Sequence, residues 1–133
     1  MSECIFCKII KGEITSYKIL EDKQTLAFLD INPVNKGHTL VIPKQHFETI
    51  IDTPDNILSD IIKTAQKIAT ALLKDCDGIN IMQSNQEAAG QAVPHLHFHI
   101  IPRYKNDNLP LWPQHKYKKG EAEKTLEKIK TLL

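Results

Sequence analysis

Short apolar stretches bounded by turn residues recur along this chain, and one long stretch instead repeats its apolar positions every three or four residues. Tyr17 to Glu21 and Thr25 to Leu29 read as two short strands across a polar turn at Asp22-Lys23. Asp30 to Gly37 gathers Asn, Pro and Gly and reads as a loop. His38 to Ile42, β-branched and apolar and closed by Pro43, predicts a buried strand. Thr53-Pro54-Asp55 carries the marks of a helix start: a hydroxyl N-cap, Pro at the first helical position and an acid in the first turn. Ile57, Leu58, Ile61, Ile62, Ala65, Ile68, Ala69, Leu72 and Leu73 then give one broad apolar face, and Gly78 lies just beyond its end. Ile79 to Ser84 predicts a strand, Asn85 to Val93 a loop of small residues, and Pro94 leads into a strand from His95 to Ile101. Pro102, Pro110 and Pro113 keep the following backbone irregular. A terminal helix from about Glu121 to Leu132 puts Leu126, Ile129 and Leu133 on one side. The expected architecture is α+β, an antiparallel sheet of about five strands covered by one long central helix and a C-terminal helix.

The last predicted strand carries the chemistry. In His95-Leu96-His97-Phe98-His99, side chains at i, i+2 and i+4 share one face, so three imidazoles form a row about 7 Å apart while Leu96, Phe98 and Ile100 point into a core. Solvent-facing strand positions normally carry Thr, Lys or Glu. Imidazole, with an ordinary pKa of about 6.5, serves as base, nucleophile, acid or metal ligand near neutrality.

Composition narrows the setting. The 133 residues suit one domain spanning 1–133, with ordinary apolar (41%) and charged (25%) fractions. Seventeen basic against sixteen acidic residues leave +1, which offers no electrostatic basis for nucleic-acid or membrane partners. No apolar run is long enough to span a bilayer, and the N-terminus lacks the basic and apolar segments of a secretory signal. Three cysteines argue against a disulfide framework, so the expected compartment is the cytoplasm.

The histidine row admits two uses. It could bind a metal, although no Asp or Glu lies between Ala88 and Arg103 to complete a hydrolytic site. Alternatively, a neutral imidazole could act as nucleophile. Phosphorus is the natural target, because Asn85, Gln91 and the backbone around Ala89-Gly90 offer groups for phosphate oxygens. Cys4-x-x-Cys7 admits three readings: a redox pair, half of a zinc site, or free thiols. The redox reading wants a βα turn, for which no strand is supplied. A zinc site needs two more ligands, for which His46 and His95 are candidates, and a Cys2His2 set is of the closed, structural kind.

The run His95 to Ile101 resembles the H-φ-H-φ-H-φ-φ signature of the histidine-triad (HIT) nucleotide-binding family. Cys4 to Ile10, Phe28 to Pro33, Gly37 to Lys44 with His46, and Ala88 to Gln91 resemble further family segments in the family order, so that residues 4 to 103 are covered. The nearest likeness is to the bacterial, zinc-carrying Hint-like branch. This resemblance implies that His97 attacks the α-phosphorus of a purine nucleoside 5′-phosphate derivative and forms a nucleotidyl-imidazole. The other ring nitrogen of His97 would donate to a backbone carbonyl, that of His95. His99 would contact the phosphate and help the leaving group depart, with His38 beside the row. Asp30 would accept the ribose hydroxyls, Phe6, Leu29 and Ile31 would form the slot for the base, and Asn85 and Gln91 would hold phosphate oxygens. The family's zinc ligands match Cys4, Cys7, His46 and His95, and its members are homodimers.

Two departures touch the leaving group. Ala92 stands where many Hint-branch relatives carry Ser, and the loop from Asn85 to His95 is one residue shorter than in some. Phosphoramidates and dinucleoside polyphosphates therefore both stay open as substrates. Two rival readings stay open as well: a metal-dependent hydrolase, and a nucleotide-binding scaffold with little turnover. His115 matches nothing and reads as surface.

Overall fold

The computed structural model describes residues 3–133. In chain order it runs α1 (Ile5–Lys11), β1 (Lys18–Glu21), β2 (Thr25–Leu29), β3 (Thr39–Pro43), α2 (Asp55–Leu72), β4 (Gly78–Met82), a 3-10 turn (Glu87–Ala89), β5 (Phe98–Arg103) and α3 (Glu121–Leu132). The five strands form one antiparallel sheet in the order β1-β2-β3-β5-β4. No described helix is long and apolar enough to cross a membrane.

Strand periodicity divides the interior between the two faces of the sheet. Ala27 pairs with Val41, and Val41 with Phe98. These three, with Leu96 and Ile100, pack against Ile57, Ile61, Ala65 and Ile68 of α2. The alternate positions Leu26, Phe28, Leu40 and Ile42 face the other way, onto Cys4, Phe6 and Ile9 of the α1 segment. Burial on both sides explains why β2 and β3 are almost unbroken apolar runs. His99 pairs with Leu40 and so lies on the α1 side.

Several boundaries differ from the sequence reading. α1 was not expected: Cys4 caps it, its sulfur accepting from Cys7 N at 3.4 Å, and Gly12 at φ 79° closes it with its N–H on Ile9 and Lys8 carbonyls. The cap of α2 is Pro54, not Thr53, whose hydroxyl donates instead to the Thr49 carbonyl at 2.7 Å. Gly78 opens β4 opposite Arg103 rather than trailing the helix. The strand of the histidine row starts only at Phe98, so His95 and His97 stand on irregular backbone ahead of it, while the alternation of faces persists. Finally, α3 forms where expected but covers nothing: none of its residues is buried, and Leu126 and Ile129 are half exposed. α1, rather than α3, closes the second face of the sheet.

Candidate active site

A cavity of about 420 Å³ opens on the α1 side of the sheet, a size within the ordinary range for small-molecule sites. Phe6 and Ile9 of α1 meet Phe28 and Leu40 of the strands to form its apolar wall. Leu29, Asp30 and Ile31, where β2 runs into the following loop, form a second wall, and His97 and His99 a third. Phe6 stands nearly perpendicular to both Phe28 (centroids 5.6 Å apart, 73°) and His97 (5.2 Å, 83°). Six residues picked from the sequence, Phe6, Leu29, Asp30, Ile31, His97 and His99, therefore line one space. Ile9, on the same helical face as Phe6, was missed together with α1; the spacing of Ile5, Phe6, Ile9 and Ile10 before Gly12 was the available signal.

Asn85 and Gln91 do not line this cavity. The Asn85 carbonyl accepts from Ile50 N (2.8 Å) and its amide nitrogen donates to Gln83 (2.7 Å). Gln91 accepts from Gln86 N (2.7 Å) and donates to Glu48 O (2.6 Å) and Val93 O (3.1 Å). Both side chains brace the loop ahead of the histidine row, including Gln86, held at φ 72°.

The backbone sets the proton on each ring. His97 is 93% buried, and its Nδ1 lies 2.7 Å from the His95 carbonyl, which can only accept. Nδ1 therefore carries the proton and Nε2 is bare. His38 shows the reverse. Its Nδ1 accepts from Val34 N at 3.0 Å, so Nε2 holds the proton and donates to His99 Nδ1 at 2.9 Å. His99 is thereby left with its own proton on Nε2. Asp30 accepts from Asn32 N at 2.8 Å and approaches His38 Nε2 at 3.6 Å.

Burial favours the neutral form of all three rings. Burial pushes His99 down to about 4, with His97 and His38 acting the same way and Asp30 opposing. Burial also lowers His97, against the pull of the His95 carbonyl and Asp30, and lowers His38 against Asp30.

Among the described residues two clusters gather enough donor atoms for a metal ion: Cys4, Cys7, His46 and His95, and Asp30, His38 and His99. Tautomers separate them. His95 donates from Nε2 to the Pro43 carbonyl at 2.9 Å, which frees the Nδ1 lone pair. That Nδ1 lies 3.4 Å from Cys4 Sγ, 3.6 Å from Cys7 Sγ and 3.1 Å from His46 Nδ1, and Cys7 Sγ lies 3.3 Å from His46 Nδ1. Zn–N bonds of about 2.0–2.1 Å and Zn–S bonds of about 2.3 Å place tetrahedral ligand atoms roughly 3.3–3.8 Å apart. The first cluster fits such an ion. In the second, a metal on His38 Nε2 would force the ring proton onto Nδ1, directly against the Val34 N–H, so that cluster is built for hydrogen bonding.

The comparisons agree with this architecture. The HIT domain model matches residues 11–106. The adenosine 5′-monophosphoramidase of Candida albicans is 41% identical over 138 residues, covering 97% of this chain and 90% of that protein. A crystal structure of a HIT family member from Bacillus subtilis superposes with a TM-score of 0.88 at 42% identity, covering 98% of this chain and 97% of the other. A Zn-bound histidine triad family protein from Mycobacterium smegmatis gives a TM-score of 0.79 at 33% identity, covering 99% of both chains. By sequence, fold and the arrangement of its histidines, this chain belongs to the HIT family.

Proposed function

We propose that this chain is a hydrolase acting at the α-phosphorus of purine nucleoside 5′-phosphate derivatives, with His97 as nucleophile. The observation that carries the reading is the 2.7 Å contact from His97 Nδ1 to the His95 carbonyl, which leaves Nε2 unprotonated on a ring lining the cavity. The Nε2 lone pair forms a bond to phosphorus as the bond to the amine or phosphate leaving group breaks, that group keeping the electron pair and taking a proton from solvent. His99, its proton on Nε2, is a hydrogen-bond donor that steadies charge on a phosphate oxygen while keeping its own proton. Water then attacks phosphorus, the P–N bond returns its electrons to His97, and the nucleoside monophosphate leaves as the surplus proton passes to solvent. Phe6, Leu29 and Ile31 would sandwich the base, and Asp30 would accept the ribose hydroxyls.

Cys4, Cys7, His46 and His95 would hold a structural zinc ion, a reading supported by the freed His95 Nδ1 and by the Zn-bound relative. The ion would cross-link the start of α1 to the segments after β3 and before β5, and so hold Phe6 over the nucleophile. The chain would work as a homodimer.

The deciding experiment is intact-mass analysis of protein quenched during turnover of an adenosine phosphoramidate. A mononucleotide adduct mapping to His97 supports the mechanism. Tight nucleotide binding with neither product nor adduct overturns it in favour of a binding protein.

A further inference from the structure

We propose that Val34 and Asn35 are positioning residues: the surface loop ahead of β3 sets which nitrogen of His99 carries its proton, acting through His38. The proposal rests on the reading of the reaction given above, in which His99 Nε2–H is a donor to the reacting phosphate.

A series of hydrogen bonds makes the chain of influence. The Val34 N–H meets His38 Nδ1 at 3.0 Å, and the Asn35 carbonyl accepts from His38 N at 3.0 Å, so the loop grips both the ring and the backbone of His38. His38 Nε2 then reaches His99 Nδ1 at 2.9 Å. Asn35 anchors the loop to the same strand that carries His99, its amide donating to the Pro102 carbonyl (2.9 Å) and to Asp107 Oδ2 (3.1 Å). Asp107 is itself fixed by Arg103 of β5, with contacts of 2.8 and 3.1 Å to its two oxygens. Both ends of the relay are thus referenced to β5. A neutral imidazole carries only one N–H, so a donor facing one nitrogen dictates the other. Here a backbone amide, which cannot lose its proton, forces His38 to donate from Nε2, and His38 in turn forces His99 to accept at Nδ1 and to donate from Nε2. Val34 is half exposed, and its bond to His38 is made by the backbone amide rather than the side chain.

The test is long-range proton–nitrogen correlation NMR on histidine-labelled, metal-loaded protein, with steady-state kinetics on the same samples. The wild type is expected to show His38 and His99 protonated at Nε2 and His97 at Nδ1. Val34→Pro, which deletes the amide donor, is expected to mix the tautomers of His38 and His99 while leaving His97 unchanged. The accompanying kcat is expected to fall at least about tenfold with KM within about twofold. Should Val34→Pro not fold, Asn35→Ala, on a half-buried loop position, makes the same test through the anchor. Tautomers of His38 and His99 that stay fixed in the folded variants, or a wild-type His99 protonated at Nδ1, overturn the proposal. If the tautomers shift but the wild type turns over no nucleotide substrate, the relay stands and the reading of the reaction falls.

Discussion

The ring of Phe6 meets His97 nearly at a right angle, 5.2 Å between centroids, and the same ring lies 5.7 Å from His95. One side chain of α1 thus touches the proposed nucleophile and a proposed metal ligand. Phe6 is also 94% buried, so its removal combines lost contacts with a cavity. Phe6→Ala is expected to lower stability by about 3–5 kcal/mol and to raise KM more than it lowers kcat. Urea unfolding and initial-rate kinetics check the two parts, and an unchanged KM would remove Phe6 from the base slot.

His97→Ala is expected to abolish turnover by a factor on the order of 10³ or more while far-UV circular dichroism stays native. His99→Ala, which removes a donor rather than the bond-forming atom, is expected to cost roughly 10²–10⁴-fold. Substantial residual activity in His97→Ala would rule out covalent catalysis at that ring.

Acid is expected to destabilise the fold in a defined window. His38 and His99 titrate below the ordinary imidazole value of about 6.5, so the unfolded chain binds protons that the native chain refuses. Their contribution to stability is fully present above about pH 6.5 and is lost as the pH falls toward the His99 value of about 4. Melting temperature recorded between pH 8 and 4.5 should be level at first and then decline, and less steeply in His99→Gln. An equal decline in that variant would show that other groups govern the acid limb.

Removal of the proposed zinc ion is expected to loosen the fold before it affects chemistry. Protein purified under reducing conditions should carry about one zinc per chain, and a strong chelator should lower its melting temperature. Cys7→Ser should lose the metal and reproduce the effect. A chelator that stops turnover at once, with melting unchanged, would favour a metal-dependent hydrolase instead.

Legibility followed the physics of each segment. β2, β3 and α2 were readable because each presents a continuous apolar face to a large interior. The four-ligand cluster was legible as a candidate set from Cys4-x-x-Cys7 and the histidines and sharpened by likeness to a family, whereas the grouping of Phe6, Asp30 and Ile31 with His97 was readable only through that likeness, since spacing along a chain does not report distance through space. α1 went unseen because a cysteine caps it, outside the usual Ser, Thr, Asp and Asn. The contacts of Asn85 and Gln91 to backbone groups were not legible in the sequence, because they join this loop to residues 48 and 50, far along the chain. The tautomers lay furthest out of reach, because they depend on contacts such as Val34 to His38 and Pro43 to His95.

The alternation from Leu96 to Ile100 also limits how this segment tolerates changes in length. Residues of even number pack against α2 while His97 and His99 look toward α1, so one extra residue inserted there would exchange hydrocarbon for imidazole on both sides at once. Insertions and deletions are tolerable upstream, between Asn85 and Val93, where an exposed loop can absorb them. From Leu96 onward the spacing is a frame that only paired changes could preserve.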